Sequence, residues 1–315
     1  MANTTFSGPV RSENNVQLIS KTAATGVVHD RTQCSGLKDA RRKYLYEAFY
    51  QRPGLNAINI IDPDANDATA LAVTQAANKN FETLGTNYTT ALTTFSATQA
   101  GITMTTDTAD QDQAILLPHL DTNQTAWSGT KWGTENQVEW ECSISLPATD
   151  NQKVWAGLKL TNDQLPQTDA NQAYFYYASD ATNGQALSTF TQWYFINSIG
   201  GTDYLTNTGV TVEADTPYHF KISIDSDRKA SIFINGVQYS VTQTAATTFD
   251  GSTEVTGTTQ ATIAANYSAT NANTQKSLAL TDDVDLIPYI GIENGAAAAE
   301  VLNVHYEAIS RHVFE

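Results

Sequence analysis

From about residue 81 onward, apolar and polar positions alternate in short runs separated by turn residues. Val138, Trp140, Cys142 and Ile144 alternate with Gln137, Glu139, Glu141 and Ser143. That is the period of a strand with one buried face, and it points Glu139 and Glu141 away from the core. Val154–Leu160 is more continuously apolar and reads as a central strand. Ala173–Tyr177 and Trp193–Ile196 read as aromatic strands, and Gly200-Gly201 as the hairpin turn that follows.

The clearest stretch is 216–241. Tyr218, Phe220, Ile222 and Ile224 alternate with polar residues, Asp225–Lys229 makes a charged turn, and Ala230, Ile232 and Ile234 form the next inner face. Asn235-Gly236 tolerates positive φ at both positions and predicts a tight hairpin into Val237, Tyr239 and Val241. Ile287–Ile292 and Val301–Tyr306 are late strands, with Ile309, Val313 and Phe314 expected to close the end. Roughly ten to fourteen short strands and almost no helix predict a two-sheet sandwich.

The first 80 residues differ. Residues 1–36 show no sustained period. Over 37–50, Leu37, Ala40, Tyr44, Leu45, Ala48 and Phe49 recur at three- and four-residue spacing, predicting one short helix stopped by Pro53 and Gly54. Its aromatics would pack either on the body or on a partner. The predicted organisation is therefore an extended arm with a helix (1–52), a connector (53–80) and a β-sandwich (81–315).

Charge sharpens this division. The chain carries a net −16. Residues 1–52 nevertheless hold Arg11, Lys21, Arg31, Lys38, Arg41, Arg42, Lys43 and Arg52 against only Glu13, Asp30, Asp39 and Glu47. An acidic body repels nucleic acid and anionic membranes, while a basic arm suits an acidic partner surface. No window offers the ~20 apolar residues of a membrane span, and the first residues show no secretory leader pattern. Cys34 and Cys142 are far apart and form no disulfide framework, which suits folding in a reducing cytoplasm.

Candidate chemistry is sparse. Glu139 and Glu141 share a strand face as paired glycosidase carboxylates do. Those enzymes carry a third acid two positions further on, where Ser143 stands here. His29, His119, His219, His305 and His312 show no metal-ligand spacing, and no phosphate loop or nucleophile elbow occurs. Asp225-Ser226-Asp227 and Asp282-Asp283-Val284-Asp285 could lend oxygens to Ca²⁺, but neither matches an EF-hand and acidic turns are usually only turns. No catalytic, cofactor or metal residue is assigned, and an enzyme is not expected. Tyr174–Tyr177 and Trp193–Phe195 would put every second ring outward, either to stack on sugars or, more simply, to pack in core and interface.

The opening Thr4-Thr5-Phe6-Ser7-Gly8-Pro9-Val10-Arg11-Ser12 resembles the start of structural proteins of marine tailed phages, cyanophages included. The stretches Ala214–Ile222, Asp225–Ala230, Phe233–Val237, Gln152–Leu160 and Leu286–Ile292 are similar to the concanavalin/laminin-G-like sandwiches in those proteins. The resemblance implies an all-β, concanavalin-like jelly-roll sandwich with an extended N-terminal arm, in a virion protein made in the host cytoplasm. Combined with the charge split, it favours a decoration protein that binds the major capsid protein on the outer capsid surface as a homo-oligomer. The expected contacts are Phe6, Arg11, Arg41, Arg42 and Lys43. The alternative is a head or tail appendage whose lectin-like sandwich holds a host-surface glycan.

Overall fold

The computed structural model describes residues 19–21, 28–30, 42–50, 53, 55–57, 81–96, 100–118, 132–161, 169–179, 187–246, 255–259 and 273–313. They form two packed sheets.

From edge to edge, the first sheet begins with β1 (Ile19–Lys21), β2 (Val28–Asp30), β17 (Val237–Tyr239), β16 (Ala230–Ile234) and β15 (Tyr218–Ile224). It continues through β10 (Glu139–Ser145), β22 (Val301–His312), β7 (Gly101–Thr105) and β6 (Thr93–Ser96). β3 (Arg42–Glu47) also pairs with β22, beyond the stretch that β7 uses. The second sheet runs β19 (Val255–Thr256), β14 (Thr202–Thr211), β13 (Gln192–Ile199), β12 (Gln172–Ala178) and β11 (Gln152–Lys159). β21 (Asp285–Asn294), β8 (Gln113–Leu117), β5 (Phe81–Leu84) and β4 (Leu55–Ala57) complete it, with β9 (Trp132–Gly133) paired to β21. β18 (Val241–Thr242) and β20 (Asn273–Thr274) form a small separate pair. All pairings are antiparallel except β4 with β5 and β14 with β19.

The core lies between the sheets and follows the alternation that the sequence predicts. Trp140, Cys142 and Ile144 of the first sheet and Val154, Ala156 and Leu158 of the second are completely buried in one cluster. Aromatic rings lock the two layers together. Phe175 on β12 stacks on Phe220 of β15 at 4.4 Å, and Trp193 on β13 meets Phe220 edge-on at 4.8 Å. Such pairs add about 0.5–1.5 kcal/mol each beyond their burial. The β16–β17 hairpin turns at Asn235 (φ 51°) and Gly236 (φ 77°), as the Asn-Gly pair predicts.

Where a helix is expected over 37–50, the described residues are not helical: 42–47 form the strand β3. Six residues fit a helical and a strand period equally well, so tertiary pairing decides. The β22 edge offers six cross-strand partners, from Arg42↔His312 to Glu47↔Glu307. Past β3, Phe49 adopts φ 50° with the Glu47 carboxylate accepting its N–H at 2.7 Å. That turn buries Phe49 and leaves Tyr50 outside, 84% exposed. The described parts of the basic arm, β1, β2 and β3, thus all extend the chain's own first sheet.

The aromatic strands take the packing alternative, and on both of their faces. Phe175 and Tyr177 face the core, but Tyr174, Tyr176 and Tyr194, which point the other way, are also buried, in a second cluster with Trp155 and Tyr289 on the outer side of the second sheet. Two glycines make room for this cluster. A Cβ on Gly291 would fall 2.6 Å from the Trp155 ring, and one on Gly157 would meet the Tyr174 backbone at 2.4 Å. At the chain's end Ile309 joins the core, whereas Val313 is 45% exposed and Phe314 lies outside the described residues.

Candidate recognition face

The outer side of the first sheet gathers the polar side chains that the strand alternation turns away from the core. β10 contributes Glu139, Glu141, Ser143 and Ser145. The register sets Glu139 between Ser223 and Ser310, Glu141 between Lys221 and Ala308, and Ser143 between His219 and Tyr306. β3 adds Tyr46 opposite Ala308 and Arg42 at its start. Four strands distant in sequence therefore build one face.

Charges on this face are mutually satisfied. Glu139 is shared by two cations, Lys221 at 3.6 Å and Arg42 at 3.9 Å. The Arg42 guanidinium also donates to Ser310 Oγ and to the Gln137 carbonyl, each at 2.8 Å from Nη2. Lys221 lies over the Phe233 ring at 5.7 Å. Glu141 Oε2 sits 3.5 Å from His219 Nε2, and its side chain has no solvent exposure. A ring row borders the charges: His219 meets Tyr306 at 5.9 Å, and Tyr306 meets Tyr46 at 5.7 Å. Tyr46 is 47% exposed, so the row opens to solvent at that end.

A bulge in β22 at His305 shifts the register between Ser143 and Ile144. It turns His305 toward Ser145, whose Oγ lies 3.0 Å from Nε2, while Nδ1 lies 3.0 Å from the Ala100 carbonyl. A carbonyl only accepts, so Nδ1 donates to it. Ser145 is 2% exposed, which makes this contact a brace and not an accessible nucleophile.

Of the residues expected to contact a partner, Phe6, Arg11 and Arg41 lie outside the described residues. Arg42 is 8% exposed and holds the face together. Lys43, exposed, points to the opposite side of β3. Glu139 and Glu141 do point away from the core, as predicted, but Glu141 is fully buried instead of solvated. His219, Tyr306, Tyr46 and Lys221 were not anticipated as one site. The alternation around Tyr218 and Phe220 places His219 and Lys221 outward, but nothing local says that β15 lies beside β10.

The Asp225 turn is saturated. Oδ1 accepts the N–H groups of Asp227 and Lys229 at 2.9 Å, and Oδ2 takes the Lys276 ammonium at 2.6 Å. Burial would push its carboxyl up, but these donors outweigh it and hold the pKa below the usual value. Asp282 pairs with Arg228 at 3.2 Å. Among the described residues no group of three or more His, Cys, Asp or Glu could hold a metal ion, and no helix is long and apolar enough to cross a membrane.

Inside the sandwich, Glu307 is a separate feature. It faces the core beside Cys142. Its Oε1 accepts from Trp140 Nε1 at 2.9 Å, and Oε2 has no partner. Burial pushes its pKa up to about 8 against the opposing Trp140 bond. The Cys142 thiol is raised as well, by burial first and then by the charges of Glu307 and Glu141.

No family model and no curated protein matches the chain. Solved structures similar to it include a protein of unknown function from Shewanella oneidensis MR-1 (10% identity, 88% of this chain and 90% of that one, TM-score 0.44). The Emp47p carbohydrate recognition domain is also similar (8%, 77% and 93%, TM-score 0.43). So is SCLam, a non-specific endo-β-1,3(4)-glucanase of family GH16 (9%, 87% and 92%, TM-score 0.45). At these identities and TM-scores the likenesses carry no argument about binding or catalysis.

Proposed function

We propose that the protein is a non-enzymatic recognition module of a tailed-phage particle that holds a glycan on the outer face of its first sheet. The observation that carries this reading is the Tyr46–Tyr306–His219 row, open to solvent at Tyr46 and bordered by the fixed Glu139–Lys221–Arg42 cluster. Sugars are recognised by aromatic faces against their C–H surfaces and by immobile charged hydrogen-bonding groups beside them. The same geometry opposes catalysis. An acid–base pair needs both carboxyls at the substrate, and the Glu141 side chain has no exposure. Binding of full-length protein to a glycan array, compared with Tyr46→Ala, tests the reading. Loss of binding in the variant supports it; absence of binding by the wild type to every saccharide overturns it.

Capsid decoration is the second reading. It rests on the resemblance of Thr4–Ser12 to phage structural proteins and on the basic excess of residues 1–52 over a body that brings the chain to −16. β1, β2 and β3 are committed to the chain's own sheet and Arg42 to the Glu139–Ser310 contacts of its outer face, which leaves Phe6, Arg11, Arg41 and Lys43 as its contacts. The partner would be the major capsid protein at the outer capsid surface, engaged by a homo-oligomer. Pull-down on expanded capsids with full-length chain and with Arg11→Ala/Arg41→Ala/Lys43→Ala decides it: a loss specific to the triple variant supports docking, and no binding by the wild type removes it.

A further inference from the structure

We infer that the ligand of this face is a neutral, hydroxyl-rich saccharide and not a sulfated or uronic one; the inference rests on the glycan reading above. Recognition of an anionic sugar needs a cation whose charge is not already matched. Here the two cations of the face, Arg42 and Lys221, converge on the single carboxylate of Glu139. Glu141, buried beside them, lies 3.5 Å from His219, so each basic side chain of the cluster already faces a carboxylate. The rest of the molecule adds a net −16, a field that opposes an approaching polyanion within roughly a Debye length, about 8 Å at physiological salt.

The same pairing prepares Glu139 for hydroxyl groups. An ionised carboxylate offers about four lone-pair sites, and the two cations occupy part of that capacity. Its side chain keeps 23% exposure, so the remaining capacity faces outward. The two cations immobilise it beside the aromatic row. A carboxylate fixed in this way accepts from a pair of neighbouring hydroxyls without further ordering cost. Carboxylate and sulfate groups only accept at neutral pH, so placing one here sets two acceptors face to face and leaves both unpaired.

The test is a panel measured with the full-length chain by affinity electrophoresis and calorimetry. The probes are a neutral β-glucan and, at matched length, alginate and heparin. The wild type should bind the neutral polymer and hold the anionic ones at least about tenfold more weakly. Glu139→Gln should remove the shared counter-charge, weaken the neutral polymer, and raise affinity for the anionic ones by about tenfold, in a salt-dependent way. Equal or tighter binding of alginate or heparin by the wild type overturns this inference while leaving glycan recognition standing. Binding of none of the three by a folded wild type, together with a blank array, overturns the glycan reading and this inference with it. The wild-type comparison decides even if the variant does not fold.

Discussion

Glu307 makes stability depend on pH in a direction opposite to that of most carboxylates. The group is 0% exposed, has one hydrogen bond, and titrates at about 8 in the folded chain against 4.5 when unperturbed. Between these values the folded state holds a proton that the unfolded state has released. Stability therefore falls as pH rises through this window, and the contribution levels off above pH 8. At about 1.4 kcal/mol per unit, the full span is worth an upper limit of about 5 kcal/mol. Relaxation and water penetration reduce it to an expected loss of about 2–4 kcal/mol. Glu307→Gln keeps a carbonyl to accept from Trp140 Nε1 and cannot ionise. Urea unfolding of both proteins, followed by tryptophan fluorescence at half-unit steps from pH 5 to 8.5, isolates the effect. Glu300, raised to about 7 by burial and the Asp150 charge, shifts both proteins alike and cancels. The variant should gain on the wild type by roughly 1 kcal/mol per pH unit until about pH 8. Stability curves that stay parallel to within about 0.5 kcal/mol across this range would refute a buried, protonated Glu307.

Other consequences are as specific. Arg42→Met should destabilise by about 1–3 kcal/mol, because the Gln137 carbonyl and Ser310 Oγ lose their donor; Lys43→Met, at an exposed position, should change stability by no more than about 0.5 kcal/mol. Equal effects in chemical denaturation would contradict a structural role for Arg42. Gly291→Ala places a methyl 2.6 Å from the Trp155 ring and should cost about 1–3 kcal/mol, with a shift in tryptophan emission as that ring moves. Tyr46→Ala, at a 47% exposed site, should leave the urea midpoint within error while reducing saccharide affinity about tenfold or more.

The body of the fold is written locally. Strict alternation at Val138–Ile144 and Tyr218–Ile224, and the Asn235-Gly236 turn, predict strands and a hairpin that form where expected. The helical spacing read over 37–50 misleads where the structure describes it, because the six residues 42–47 fit a strand period as well and pair with β22. The aromatic strands are ambiguous in another way. Their alternation is real, but it cannot say that the outer side of the second sheet is buried too, so it leaves both sugar stacking and core packing open for Tyr174, Tyr176 and Tyr194, and burial decides for packing. The candidate face was half legible: alternation places Glu139, Glu141, His219 and Lys221 on outward faces of their own strands and stops there.

The sequence by itself determined an acidic, strand-rich chain, a two-layer core of alternating aromatics and aliphatics, and the absence of recognisable metal, phosphate or nucleophile motifs. Those properties follow from composition and from a two-residue period, which act within a few neighbours. Tertiary structure decided which strands lie side by side. It brought Arg42 to Ser310, 268 positions away, set Glu139 between Lys221 and Arg42, and turned the basic residues 42–43 into part of a sheet edge. Cross-strand pairing depends on sheet order and register, and hydrophobic periodicity constrains the face of a residue without naming its neighbours.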